Sequence, residues 1–198
     1  MTNKIFVVNN FIDELCAKSI ISEINQPSET NAYPDHYLNR NGGTALPYNN
    51  NVLKILKNYS DKSNQQIKEL FNLNFPVYTT KGYSSKWQKG SKGDPHIDNV
   101  EKETFIEWST VIYLNEPPEF DGGIIYFPKK DFEYVPVKYS AVFFPQQDDN
   151  YIHGITEVTS GERYTLLFHH SSKIEFADPD LLGDKYANWS FRFRISNS

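Results

Sequence analysis

The chain has 198 residues of which 38% are hydrophobic, and its 14 Phe, 13 Tyr and 3 Trp supply bulky material for one domain core, since each aromatic ring buries roughly 150–250 Å². A formal charge of −5 with no basic run excludes nucleic acid as the default partner, because phosphate binding needs a cationic face. One cysteine, Cys16, excludes an internal disulfide, a CxxC redox pair and a thiolate zinc site, and fits a reducing compartment.

Residues 5–8 are β-branched and aromatic and read as a short strand. This apolar run is too short for a secretory signal, and no stretch approaches the roughly 20 apolar residues of a membrane span. The expected location is the cytoplasm, without a membrane partner. Asp13 can cap a helix whose apolar stripe is Leu15, Ile20, Ile21 and Ile24, with Cys16 packed on it and Pro27 past its end. Residues 28–48, rich in Asn, Pro, Gly and Tyr, read as a long loop carrying His36 and Arg40. Helical periodicity resumes at Asn50, first with Val52, Leu53, Ile55, Leu56 and Tyr59, then with Ile67, Leu70 and Phe71. A break is expected between the two groups at Ser60–Ser63.

After Pro76 the character turns to β. Strands are expected at 75–83, 85–88, 105–114, 124–127, 134–137, 141–144, 152–158 and 164–169, with a turn-rich loop at 89–95. Many short strands at regular spacing indicate a sandwich or jelly roll. Residues 178–182 read as a turn or short helix and 189–195 as an edge strand whose Arg192 and Arg194 face solvent. A single domain spanning 1–198 is expected: 1–74 largely helical support and loop, 75–170 the β core, 171–198 a tail.

The chemistry concentrates between His96 and Arg163. His96 and Asp98 are two apart, so on a strand both project from one face, and His153 can join them from a strand adjacent in space. Two imidazoles and one carboxylate on one face form a facial triad for Fe(II) that leaves three coordination positions open, two for a chelating 2-oxo acid and one for O₂. Arg163, between Gly161 and the apolar run 164–168, suits a bidentate clamp on a far carboxylate, and an inward-facing cation there needs an anionic partner. The adjacent His169 and His170 read as structural or exposed, with at most one facing inward. Trp87 and Trp108 suit either a pocket or the core, and Tyr151, two before His153, a supporting place.

The order His96-Ile97-Asp98-Asn99, Tyr113-Leu114-Asn115, Gly122-Gly123 with Phe127, Ala141-Val142-Phe143-Phe144-Pro145, His153-Gly154 and Gly161-Glu162-Arg163-Tyr164 resembles the iron(II)/2-oxoglutarate dioxygenase superfamily, particularly its prolyl 4-hydroxylase-like branch. The opening Phe6-Val7-Val8-Asn9-Asn10-Phe11 and first helix resemble that branch too. The resemblance implies a mainly β fold with flanking helices, built on a double-stranded β-helix, the jelly-roll core shared with cupins. It implies His96, Asp98 and His153 as iron ligands and Arg163 as the residue holding the distal carboxylate of 2-oxoglutarate. Tyr113 would support that carboxylate, with Thr165 and Trp87 nearby. Two positions depart from the branch. Trp87 stands nine residues before His96 where a tyrosine is usual, with Tyr83 a substitute only if the chain shifts. Ile106 stands where prolyl hydroxylases carry a substrate-holding arginine.

The expected function is therefore Fe(II)- and 2-oxoglutarate-dependent hydroxylation of a C–H on a peptidyl or free amino-acid side chain, proline first. O₂ is consumed, succinate and CO₂ are released, and ascorbate serves as an auxiliary reductant. A cupin-like metalloenzyme using the same triad without 2-oxoglutarate is the second reading. A non-catalytic β-sandwich binding module, with the four residues scattered, is the third.

Overall fold

The computed structural model describes residues 4–25, 43–45, 50–98 and 104–182, with backbone alone at 43–45 and 50–52. His36, Arg40, Asn99 and the expected strand at 189–195 lie outside the described residues. Two antiparallel sheets face each other. The larger runs in the order β1 (Phe6–Val8), β9 (Ala141–Pro145), β5 (Trp108–Tyr113), β11 (Ser160–Ser171), β3 (Tyr78–Gln88) and β2 (Gly43–Ala45), with β6 (Phe120–Asp121) on the start of β11. The smaller runs β4 (Gly93–His96), β10 (His153–Ile155), β7 (Ile125–Phe127) and β8 (Phe132–Tyr134). Two helices, α1 (Glu14–Ile24) and α2 (Asn50–Leu70), complete a mainly β architecture with flanking helices.

Period-two alternation sorts the side chains of the larger sheet into two cores. Ile112, Leu114, Phe143, Tyr164, Leu166 and Phe168 pack against the helices, through Ala17, Ile20 and Ile24 of α1 and Leu56, Tyr59 and Ile67 of α2. Their neighbours Val111, Tyr113, Val142 and Phe144 point the other way, onto Ile125, Phe127 and Ile155 of the smaller sheet. Every residue of β5 is buried, as a strand covered on both faces must be. The chemically active residues belong to the inter-sheet core.

Asp13 caps α1 as expected: its carboxylate accepts the Cys16 N–H at 2.8 Å and the Tyr59 hydroxyl at 2.6 Å, which ties the helix start to α2. Cys16 packs partly buried on the helix-side core, but Leu15, expected on the apolar stripe, is 79% exposed. The stripe is carried by Ala17 instead, whose small side chain lets the helix approach. No break occurs in α2. Ser60 and Ser63 are buried, and the Ser60 hydroxyl donates to Thr79 Oγ1 at 2.7 Å, so the serines are the close-approach face of one helix.

Four further expectations on the strands are corrected. One strand, β3, replaces the two expected across 75–88, because β11 pairs with it from Gln88 down to Tyr78 and satisfies its backbone throughout. Gly82 lies mid-strand where a Cβ would come within 2.6 Å of the Phe168 ring. Part of the turn-rich 89–95 stretch is strand β4, opposed to β10, and residues 43–45 of the expected loop form β2. The strand expected at 134–137 is β8, which starts two residues earlier and ends at Tyr134, where the register puts Phe132 opposite Phe127; Val135 and Val137 are exposed.

His170 faces the helices. Its Nε2 lies 2.9 Å from Thr110 Oγ1 and its Nδ1 2.8 Å from Asn64 Oδ1, at zero exposure. Burial first, and His169 second, hold its pKa well below the ordinary 6.5. The unfolded chain therefore takes up a proton near pH 6.5 that the folded chain refuses, so stability is present above that pH and is lost as pH falls. Urea midpoints measured from pH 7 to 5 are expected to decline, and His170→Gln to flatten that decline; equal slopes would contradict it.

Candidate active site

β4 and β10 bring two imidazoles together directly, because His96 and His153 are opposed in register and their ring centroids lie 4.6 Å apart. β4 ends at His96, and Asp98 follows in a bend rather than on the strand, so strand alternation does not place the carboxylate. Two anchors do. The Asp98 N–H donates to Gln146 Oε1 at 2.9 Å, and Asp98 Oδ2 accepts from Gln146 Nε2 at 2.6 Å and from the Ser109 hydroxyl at 2.7 Å. Asp98 Oδ1 then lies 3.3 Å from His96 Nε2, and Oδ2 4.0 Å from His153 Nε2. The three donor atoms fall within 4.8 Å of one another, a spacing that can hold a metal ion.

Both rings present the same nitrogen. His96 Nδ1 meets the Asp94 carbonyl at 2.7 Å and His153 Nδ1 meets the Tyr151 carbonyl at 3.3 Å. A carbonyl only accepts, so each Nδ1 carries the hydrogen and each Nε2 is left for a metal, the arrangement by which outer partners orient ligand histidines. His153 is wedged between the Phe127 and Phe144 rings, at 5.6 and 4.7 Å. Burial lowers its pKa to about 4 against the pull of Asp98. The hydrogen bond to Asp98 raises that of half-exposed His96. Burial pushes the Asp98 carboxyl up, but His169, His153 and His96 outweigh it and hold it well below the usual carboxylate range. Asp98 is thus ionised at neutral pH.

Arg163 supplies the opposite charge further along β11. It is 2% exposed, and its guanidinium lies 5.5 Å from the Trp87 ring centroid and 5.2 Å from that of Tyr113. Gly123, at φ +62°, makes room for it, since a Cβ there would be 2.7 Å from Arg163 Cδ. Arg163 pairs across the ladder with Trp87, and Thr165 with both Ser85 and Tyr113, so these residues share the inward face. Ser85 Oγ is 2.7 Å from Thr165 Oγ1 and accepts the Trp87 indole N–H at 3.2 Å. Trp87 therefore faces the pocket without any shift of the chain. Tyr83, one rung on, also faces inward, its ring 6.3 Å from that of His169.

Among the described residues no carboxylate pairs with Arg163, and its Nε and the Tyr113 hydroxyl are buried without a hydrogen-bond partner. Burial lowers the Arg163 pKa and pushes the Tyr113 phenol up to about 12, so at neutral pH both remain donors. A buried cation and an orphaned hydroxyl aimed at one space fit an anionic oxygen ligand. Sequence reasoning missed Ser85, Ser109, Gln146 and the inward placement of His169, which lies 3.0 Å from Ser109 Oγ and 3.6 Å from Asp98 Oδ2. Only strand pairing puts them there. Trp108 belongs to the helix-side core, and Ile106 is buried.

Two histidines and a carboxylate thus lie together where β4 meets β10, and a buried arginine on β11 stands between Trp87 and Tyr113. Residues 82–169 match the model of the 2OG-Fe(II) oxygenase superfamily. That superfamily comprises 2-oxoglutarate-dependent dioxygenases, enzymes that use Fe(II), 2-oxoglutarate and O₂. No curated protein matches the chain in sequence. Among solved structures, a Pseudomonas putida prolyl-4-hydroxylase is 17% identical with a TM-score of 0.66, over 87% of this chain and 94% of that one. The viral collagen prolyl hydroxylase of Paramecium Bursaria Chlorella virus-1, solved with 2-oxoglutarate, is 16% identical with a TM-score of 0.61, over 85% and 96%. The Trichoplax adhaerens prolyl hydroxylase, solved with a hypoxia inducible factor peptide fragment, is 17% identical with a TM-score of 0.62, over 86% and 84%. These likenesses bear out the double-stranded β-helix. No helix among the described residues is long and apolar enough to cross a membrane.

Proposed function

We propose that His96, Asp98 and His153 hold Fe(II), that Arg163 and Tyr113 anchor the distal carboxylate of 2-oxoglutarate, and that the enzyme hydroxylates a C–H of a peptidyl or free amino-acid side chain. Succinate and CO₂ are the co-products. The observation that carries this reading is the buried Arg163 with no acidic partner among the described residues, its Nε and the Tyr113 hydroxyl both unsatisfied. A protein does not sequester a cation in this way without a ligand to neutralise it.

Each residue has a separable task. His96 and His153 present Nε2 because Asp94 and Tyr151 hold the opposite nitrogens. Asp98 lends negative charge that favours a divalent ion over a proton between itself and His96. Fe(II) with 2-oxoglutarate bound supplies the activation of O₂. Arg163, fixed between Trp87 and Tyr113, orients the co-substrate by its far end, and the apolar walls Phe127, Phe144 and Val111 exclude water from the reacting end.

Peptidyl proline leads the substrate class because prolyl hydroxylases share the fold, one of them solved with a peptide fragment. The buried Ile106 offers no charge to hold such a peptide, which favours a different contact or a smaller amino-acid substrate. The test is a screen of peptides and free amino acids for substrate-stimulated succinate release with Fe(II), O₂ and ascorbate. Stimulation by a proline-containing peptide or an amino acid is expected; absence of both 2-oxoglutarate binding and succinate release would refute the reading.

A further inference from the structure

We infer that His169 is a positioning residue for Asp98, acting through Ser109, and that with Gln146 it keeps one carboxylate oxygen occupied so that only the other is offered to a metal. The inference rests on the iron reading of the site. It begins with a hydrogen count. Ser109 Oγ lies 2.7 Å from Asp98 Oδ2, 3.0 Å from His169 Nδ1 and 3.0 Å from Gln146 Nε2. An ionised carboxylate only accepts, so the single hydroxyl hydrogen of Ser109 goes to Oδ2. Having spent its hydrogen, Ser109 must accept from His169, which places a hydrogen on Nδ1. A donor chain results, from His169 Nδ1–H to Ser109 Oγ–H to Asp98 Oδ2.

Gln146 closes the set. Its Oε1 accepts the Asp98 backbone N–H at 2.9 Å, which fixes the amide orientation, and its Nε2 then donates to Oδ2 at 2.6 Å. Oδ2 therefore receives two short hydrogen bonds, while among the described residues Oδ1 faces His96 Nε2 at 3.3 Å. His169 is 4% exposed, and Ser109 and Gln146 are fully buried, so water does not compete for these bonds. The consequence is a carboxylate that ligates through one oxygen. Were Oδ2 free to turn, the carboxylate could take a second position on the metal, one of the three that co-substrate and O₂ require. Because Asp98 sits in a bend and not on the strand, this donor chain also does the orienting that strand geometry does for the histidines.

The test is a Co(II) titration of the metal-free, full-length protein followed by absorption, which reports affinity and coordination without turnover. His169→Phe fills similar volume without a donor, while His169→Asn returns an N–H close to the Nδ1 position. His169→Phe is expected to bind Co(II) about 10- to 100-fold more weakly, as loss of outer partners does, with an altered d–d band. His169→Asn is expected to stay close to wild type in both. Should His169→Phe fail to fold by circular dichroism, Ser109→Ala cuts the same chain at its middle and is expected to shift affinity and band the same way. Unchanged affinity and spectrum in the donor-less variant, or equal losses in Phe and Asn, would overturn the inference and leave the iron reading intact. Wild-type protein that binds no Co(II) would overturn both.

Discussion

Arg163→Met is expected to abolish 2-oxoglutarate binding while leaving the ligand-free protein at least as stable as wild type. The two halves have one cause. In the free protein the guanidinium is buried with no carboxylate partner among the described residues, and an apolar side chain of similar length removes its desolvation penalty, on the order of several kcal/mol for a buried ion. In the complex the same charge meets a carboxylate out of water, and removing one partner of such a pair costs about 3–5 kcal/mol, a loss of affinity of roughly 10²-fold to several thousand-fold. Thermal melts with Mn(II) measure both. At a ligand concentration about 100 times Kd, 2-oxoglutarate adds about 2.7 kcal/mol to wild type, a rise of roughly 5–10 °C for a chain of this size. The variant is expected to show no rise. A variant that keeps the 2-oxoglutarate shift would favour the cupin-like reading, in which the triad works without this co-substrate.

The second large effect is that of Asp98→Asn. The substitution keeps the shape that Ser109 and Gln146 grip and removes only the charge. Metal affinity is expected to fall by more than the roughly 10- to 100-fold that an outer partner costs, and succinate release to fall to background. His96 provides an independent readout. The hydrogen bond that His96 donates to Asp98 is the largest cause of its raised pKa, so an NMR titration of the metal-free variant should show that pKa lowered. If the His96 titration drops while metal binding persists, the carboxylate is not the third ligand.

Much of the site was legible before folding because its residues come from short, chemically unusual runs. His96-Ile97-Asp98 alone says little, but joined by His153 and by an arginine that enters an apolar strand at position 163 and asks for an anion, the set of four is distinctive. The helix start at Asp13 was legible for the same reason: capping is a bond to the residue three along. The unbroken α2, the single long β3 and the exposure of Leu15 were not, since each depends on what packs opposite. Ser60 fits a helix because Thr79 receives its hydroxyl, and residues 78–88 stay one strand because β11 runs alongside.

What the sequence by itself determined is the inventory: which donors, which charges and which strand faces can meet, all matters of chemical type and of neighbours within a few residues. The tertiary structure decided the rest. It set the register that opposes His96 to His153, placed Trp87 and Tyr113 around Arg163, and turned His169 rather than His170 toward Asp98. The physical reason is that a one-residue slip in a strand reverses every side chain on it, so which of two adjacent histidines serves the site is fixed only when β11 finds its partners.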